Sequence, residues 1–143
     1  MDLFGNRILV IEDDEEMGSL LKDFLSSEGY QVDFVDNGSD GFRKLARQSF
    51  NLIITDVRMP GLSGLDILPG MKKLQPQAFI IVITAFGSDE VYRKAFERGA
   101  SVYLTKPVHL PKLGVMIHKL LPTTIVEEDK DGWNSDHLPR KVG

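Results

Sequence analysis

The chain contains no cysteine, which excludes both a disulfide framework and a thiolate metal site. This absence is compatible with a reducing cytoplasm, and we expect a cytoplasmic location. No apolar run approaches the roughly 18–20 residues that a helix needs to cross a bilayer. Residues 1–6 show no basic stretch that leads into a long apolar one. We therefore expect neither a membrane span nor a signal peptide, and no membrane partner.

An excess of positive charge is also missing. The formal net charge is −4 at pH 7, which argues against nucleic acid as a direct partner because phosphate binding needs a basic face. No glycine-rich loop follows the first apolar run, so the sequence does not favour a nucleotide-binding fold. The 143 residues, of which 42% are hydrophobic and 27% charged, fit one soluble domain with a buried core.

Five short apolar runs alternate with five stretches of helical periodicity. The runs predict strands at Arg7 to Ile11, Gln31 to Val35, Leu52 to Asp56, Ala78 to Thr84 and Ser101 to Leu104. Such alternation is typical of an α/β fold, a parallel sheet with helices on both faces and right-handed crossovers. Residues 1–121 carry this pattern and form the predicted domain. Residues 122–143 are polar and charged and are predicted to be a flexible tail or linker.

Apolar stripes predict the buried face of each helix. The stripe of the first helix includes Leu20, that of the second Ala46 and that of the fourth Tyr92. Pro69 lies within the third helical stretch. Because proline lacks an N–H and clashes one turn back, at a cost of about 3 kcal/mol, we predict that this helix starts late or is kinked.

Polar side chains stand where four of the five predicted strands end. Glu12 and Asp13 follow the first strand, and Asp56 ends the third. Thr84 ends the fourth strand, and Lys106 follows the fifth. Ligands of open parallel sheets bind outside the carboxyl ends of the strands, so we expect these five side chains to converge.

Three carboxylates within a few ångströms repel one another, and a divalent cation would relieve that repulsion. Oxygen ligands without cysteine or a nearby histidine favour a hard ion, Mg²⁺ or Mn²⁺. Lys106 would add positive charge and Thr84 a hydrogen-bond donor, which suits a phosphoryl group in transfer. Asp56 is then the expected nucleophile, forming an acyl phosphate.

Several spaced motifs in a fixed order make the sequence similar to one family. They are Ile8 to Asp14, Asp56 to Gly64, Val82 to Ala85, Gly99 to Ala100 and Tyr103 to Pro107. With these motifs the chain, from about Arg7 to Leu121, resembles the receiver domain of bacterial two-component response regulators. The resemblance implies a flavodoxin-like, doubly wound sheet of five parallel strands in the order 2-1-3-4-5, with five helices.

The resemblance also implies a role for each residue of the metal site. Asp56 matches the phosphoacceptor and is one of the metal ligands. Asp13 matches the direct metal ligand of the acidic pair, and Glu12 a ligand that acts through water. The backbone carbonyl of Arg58 matches the main-chain metal ligand.

A second set of residues matches the family's switch. Thr84 matches the switch hydroxyl, and Tyr103 the aromatic side chain that turns inward on phosphorylation. Lys106 matches the phosphate-contacting lysine, and Pro107 after it is a candidate for a cis peptide bond. His109 stands where the family often has a capping aspartate, and we interpret it as a helix cap or a surface residue.

The function that follows is a signalling receiver and not an enzyme with a substrate of its own. A sensor histidine kinase would phosphorylate Asp56 with Mg²⁺ present, and the face of the fourth helix, fifth strand and fifth helix would change its affinity for a partner or a second copy. One alternative is a receiver-like interaction module that needs no phosphorylation, against which the complete acid, threonine and lysine set argues. The other is an aspartyl phosphatase. Such enzymes carry a second acid two residues after the nucleophile, where this chain has Arg58.

Overall fold

The chain alternates strand and helix five times over the residues that the structure, a computed structural model, describes: 7–56, 64–85 and 88–121. The strands are β1 Arg7–Ile11, β2 Gln31–Val35, β3 Leu52–Asp56, β4 Phe79–Thr84 and β5 Val102–Thr105. The helices are α1 Glu15–Ser27, α2 Gly38–Arg47, α3 Gly64–Leu74, α4 Asp89–Glu97 and α5 Leu110–Leu120. All five predicted strands form, with ends that differ by one residue at most.

The strands make one parallel sheet in the order β2-β1-β3-β4-β5, so the predicted fold is confirmed. The strand order reverses between β1 and β3. From β1 the chain continues outward to β2, and from β3 it continues in the opposite direction to β4 and β5. Every residue of β3 is buried, as expected of a strand covered on both faces. The edge strand β2 is less buried, as its alternating sequence predicts. Ligands bind at this reversal in open α/β sheets, and the candidate site lies there.

Side-chain alternation divides the core into two layers. On one face of the sheet Leu9, Ile53 and Val82 pack with side chains of α2, α3 and α4. On the other face Ile54 and Ile83 pack with side chains of α1 and α5. Both layers continue to the carboxyl ends of the strands, so polar side chains placed there rest on a rigid apolar base.

Side chains at four helix starts accept a hydrogen bond from the first turn. These caps are Asp14, Asn37, Ser88 and His109, at α1, α2, α4 and α5. His109 accepts through Nδ1 from the Lys112 amide at 3.2 Å, so the interpretation of this residue as a cap is confirmed. The Lys106–Pro107 peptide bond is cis, which is also confirmed.

The predicted helix stripes were too wide in three places. Leu20 and Tyr92 are each 52% exposed, and Ala46 is exposed as well. In α1 the close contact is made by Gly18 instead, because a Cβ there would lie 2.1 Å from the ring of Phe34. The absence of a side chain at Gly18 therefore lets the Phe34 ring pack directly against α1.

For α3 the prediction was a late start or a kink, and the late start is wrong. The helix includes the five residues before Pro69 and continues to Leu74. Pro69 cannot donate to the carbonyl of Leu65, four residues earlier, and the guanidinium of Arg98 donates to that oxygen at 3.2 Å. A donor from outside the helix thus serves the carbonyl that the proline cannot reach.

None of the helices in the described part of the chain is long and apolar enough to cross a bilayer. The predicted tail, residues 122–143, lies outside the described residues, so the boundary after Leu121 stays a prediction.

Candidate functional site

The register of the central strands brings two acids side by side. Ile11 at the end of β1 pairs with Thr55 of β3, so the next residues, Glu12 and Asp56, meet at the carboxyl end of the sheet. Asp13 follows Glu12 in the loop before α1. The three side chains each offer a carboxylate oxygen, and these oxygens lie within 4.8 Å of one another.

Two of these carboxylates are buried and the third faces solvent. Glu12 is 2% exposed and Asp56 5%, whereas Asp13 is exposed. Oxygen donors of this kind, two in a pocket and one at its rim, fit a hard divalent cation that keeps part of its water. The predicted convergence of the three acids is therefore present in the structure.

Lys106 binds both buried acids. Its Nζ lies 2.8 Å from Oδ2 of Asp56 and 3.1 and 3.2 Å from the two carboxylate oxygens of Glu12. The residue follows β5, and its backbone amide donates to the Thr84 carbonyl at 2.8 Å. That main-chain bond fixes the start of the side chain, which then reaches towards β3 and β1. One ammonium thus serves two carboxylates.

Burial and charge pull the pKa values of this cluster in opposite directions. Burial raises the pKa of Glu12, and the hydrogen bonds from the Asp14 amide and from Lys106 offset only part of that rise. Burial alone would lower the pKa of Lys106, but its hydrogen bonds and charge interactions with Asp56 and Glu12 prevail and raise it. Lys106 is therefore a cation throughout the physiological range.

Thr84 and Tyr103 lie on the other face of the sheet from Asp56. Thr84 is fully buried and follows Val82 by two residues, so it shares the face on which α4 packs. Tyr103 packs on the same layer. Asp56 follows Ile54 by two residues and so belongs to the α1 and α5 face. Thr84 and Tyr103 thus lie on the α4 side of the sheet, one and two strands away from β3, which carries the predicted phosphoacceptor.

The Tyr103 side chain is half-buried. Its ring meets that of Tyr92 edge to face, with centroids 5.3 Å apart. Its hydroxyl is buried and has no hydrogen-bond partner among the described residues, and burial raises its pKa. Because no hydrogen bond to the described residues holds this hydroxyl, the Tyr103 side chain can change its rotamer at a lower cost in free energy.

Sequence reasoning missed one contact of the site. Asp14 caps α1, and its amide donates to Oε2 of Glu12 at 3.1 Å. Asp14 stands three residues before Met17, whose amide it caps, and an aspartate just before a helical stretch is a typical N-cap signal. Arg58, the predicted main-chain ligand, lies outside the described residues.

Comparison with known proteins decides the family. The model of the response regulator receiver domain matches residues 8–118, which is most of the chain. The chain belongs to the response regulator receiver family. Receiver domains of this family bind a divalent metal at their acidic pocket and are phosphorylated by histidine kinases.

Individual relatives of the receiver domain are moderately similar. The uncharacterized transcriptional regulatory protein YkoG of Bacillus subtilis is 35% identical over 114 residues, which cover 80% of this chain and 50% of the relative. The chain thus spans half the length of that protein.

Two solved receiver structures are similar in both fold and sequence. A response regulator from Burkholderia pseudomallei with a phosphorylated aspartic acid and a calcium ion has a TM-score of 0.74 and 28% identity, over 89% of this chain and 72% of that one. The beryllofluoride-activated receiver domain dimer of NtrC4 has a TM-score of 0.77 and 31% identity, over 81% of this chain and 96% of that one.

Proposed function

We propose that this receiver domain accepts a phosphoryl group on Asp56 from a sensor histidine kinase in the cytoplasm. The observation that carries the proposal is the buried Asp56 carboxylate, bound by Lys106 at 2.8 Å and grouped with the oxygens of Glu12 and Asp13. A buried acid that only capped a turn would not need a shared cation and two further acids. The phosphorylated aspartic acid of the Burkholderia relative supports the same chemistry.

The transfer balances without a further reactant. A carboxylate oxygen of Asp56 attacks the phosphorus, the bond from phosphorus to the kinase imidazole breaks, and the imidazole leaves as a neutral ring after taking a proton from solvent. Lys106 keeps its proton and stabilises the negative charge on the phosphoryl oxygens. Burial of Asp56 and Glu12 keeps bulk water from the acyl phosphate.

Glu12, Asp13 and Asp56 would hold a divalent cation, Mg²⁺ or Mn²⁺, with the Arg58 carbonyl as the fourth predicted ligand. When bound, the cation supplies positive charge for the phosphoryl oxygens. The all-oxygen donor set of the three acids fits such an ion.

The metal assignment can be tested without phosphorylation. We expect Asp13→Asn to weaken Mg²⁺ binding by at least about tenfold, because one of three charged ligands is lost. Titration calorimetry of the unphosphorylated protein measures this affinity. Asp23→Asn, on the exposed face of α1, is the matched control and should bind Mg²⁺ like the wild type. Equal affinities for all three proteins would exclude Asp13 as a ligand.

The output of the switch would be a change in the face formed by α4, β5 and α5. Thr84 precedes the loop to α4, and Tyr103 contacts Tyr92 of that helix, so a change at Asp56 can reach α4 through this pair. A groove of about 870 Å³ runs between α4 and β5, with Tyr92, Phe96 and Tyr103 in its wall. An aromatic groove on an edge strand suits a protein partner, either a downstream effector or a second copy. The NtrC4 receiver dimer supports the second choice.

The proposal is tested by incubating the protein with Mg²⁺ and acetyl phosphate and measuring intact mass. Wild type should gain one phosphoryl group, and Asp56→Ala should gain none. Asp23→Ala should behave like the wild type. An equal adduct on Asp56→Ala would place the phosphoacceptor elsewhere. No adduct on any of them would favour an interaction module that works without phosphorylation.

A further inference from the structure

The C-terminal end of α4 is bound to α3 by polar side chains. Arg98 caps this end of α4, where its amide bonds to the carbonyls of Lys94 and Ala95. Its guanidinium extends to α3 and donates to the Leu65 carbonyl at 3.2 Å. A second, longer contact of 3.4 Å reaches the exposed carboxylate of Asp66.

Pro69 explains why the Leu65 carbonyl takes this donor. In a regular helix the amide of residue 69 would donate to the carbonyl of residue 65. Pro69 lies inside α3 and has no amide hydrogen that could donate to that carbonyl. The Leu65 carbonyl therefore lacks this one helical donor, and the guanidinium of Arg98 donates to it.

A second contact joins the same two elements. Lys72 of α3 crosses Gly99, the residue after Arg98, so closely that a Cβ at Gly99 would lie 2.4 Å from Cγ of Lys72. The Lys72 ammonium then donates to the Ala78 carbonyl at 2.7 Å, just before β4. Gly99 has φ +116°, a conformation that favours glycine. The turn from α4 to β5 is thus held against α3 at two successive residues.

The opposite end of α4 is built differently. Its N-cap is Ser88, four residues after Thr84, and the Ser88 hydroxyl accepts from the Val91 amide of the same helix at 3.2 Å. That contact lies within the helix and would move with it.

We propose that Pro69 and Arg98 form an anchor that fixes the C-terminal end of α4 to α3, so that α4 moves mainly at the end next to Thr84. The anchor itself does not depend on phosphorylation. The direction of movement rests on the proposed function, because phosphorylation of Asp56 is its expected trigger.

A double-mutant cycle on the unphosphorylated protein tests the anchor. Arg98→Met should raise the unfolding equilibrium constant by about tenfold, since a charge-assisted bond to a main-chain carbonyl is lost. In a Pro69→Ala background the new amide serves Leu65 itself, and the same change should cost about threefold or less. Urea titration measures all four proteins, with Arg93→Met, an exposed position of α4, as the control for losing an arginine. If Arg98→Met raised the unfolding equilibrium constant by the same factor with Pro69 and with Ala at position 69, the proposed anchor would be wrong.

Hydrogen exchange tests the movement. In unphosphorylated Arg98→Met, amides in the last turn of α4 should exchange faster while those of α5 stay unchanged. In wild type treated with acetyl phosphate, the change should concentrate in the first turn of α4, and in Arg98→Met it should extend along the whole helix. If exchange changed evenly along the whole of α4 in the wild type, the proposal that its C-terminal end is fixed would be wrong. If Asp56 takes no phosphate, the proposed function is wrong. The double-mutant cycle on the unphosphorylated protein still tests the anchor in that case.

Discussion

At the amino ends of the strands, polar side chains bind main-chain groups, whereas at the carboxyl ends charged side chains bind one another. Before β3 and β4, the Gln75 amide nitrogen donates to the carbonyls of Leu45 and Gln48 at 2.8 and 2.7 Å, and its oxygen accepts from the Phe50 amide at 3.1 Å. At the other end, Lys106 is shared between Glu12 and Asp56.

The difference shows which end can change. A main-chain partner has one position in the fold, so the Gln75 contacts exist only when α2, β3 and α3 are in place. Side chains that neutralise one another can exchange partners when a cation or a phosphoryl group arrives. One end of the sheet is therefore built for stability and the other for rearrangement, although both use polar groups that are at least partly buried.

Breaking the carboxyl end should have the largest effect. We expect Lys106→Met to lower the free energy of unfolding by about 3 kcal/mol in metal-free solution, because two buried carboxylates lose their shared cation. Added Mg²⁺ should restore part of this loss, and so should mild acid, since protonation of Glu12 removes one of the two charges. Urea titration with and without Mg²⁺ measures this.

Lys22→Met, on the exposed face of α1, is the control for the loss of a lysine and should not respond to Mg²⁺. A Lys106→Met protein as stable as the wild type without metal would contradict the account of a shared cation.

Breaking the amino end should cost less and should not respond to the cation. Gln75→Ala removes three hydrogen bonds to main-chain groups, for which we expect a loss of about 2 kcal/mol because water can reach part of this half-buried site. Gln77→Ala, two residues on and exposed, should be neutral. If Mg²⁺ restored the stability of Gln75→Ala, the two ends would not be independent.

At the amino end, one buried polar side chain binds no main-chain group of the described residues, and its removal should have the smallest effect on stability. Tyr30, just before β2, has a buried hydroxyl with no hydrogen-bond partner within the described ranges. We expect Tyr30→Phe to stabilise the protein by about 1 kcal/mol, because a hydroxyl that is only desolvated is removed. Thermal unfolding at neutral pH measures this, and a loss of stability would show that the hydroxyl has a partner.

The same residue predicts a dependence on alkaline pH. Burial, with a smaller contribution from Glu28, raises the pKa of Tyr30 from 10.0 to about 12. Between these values the unfolded chain loses the proton and the folded protein keeps it, so stability falls as the pH rises through this window. Tyr30→Phe should lose this part of the alkaline decline. An unchanged alkaline profile would assign the decline to other groups.

The sequence was sufficient for the fold and for the position of the acids. Strand periodicity located β3, and the rule that ligands bind at the carboxyl ends of strands grouped Glu12, Asp13, Asp56, Thr84 and Lys106. Of these five, Thr84 lies on the other face of the sheet from Asp56. The ion pairs of Lys106 with Glu12 and Asp56 are a consequence of these strand-end positions.

What the sequence did not predict depends on distances between elements far apart in the chain. Pro69 indicated that one carbonyl would lack its helical donor, but nothing indicated that Arg98, on another helix, would supply one. The exposed Leu20 and Tyr92 were missed for a similar reason. The width of a buried stripe depends on how closely a neighbouring element approaches, and in α1 the ring of Phe34 approaches at Gly18 while Leu20 is exposed.

The central claim is that Asp56 carries the phosphoryl group, and the most direct test locates the adduct. Protein treated with Mg²⁺ and acetyl phosphate is reduced with borohydride, which converts an acyl phosphate of aspartate to homoserine, and is then digested with trypsin. We predict homoserine at Asp56 in the peptide from Gln48 to Arg58, and none without Mg²⁺. Homoserine at Asp13 or at another acid, with Asp56 unchanged, would contradict the account.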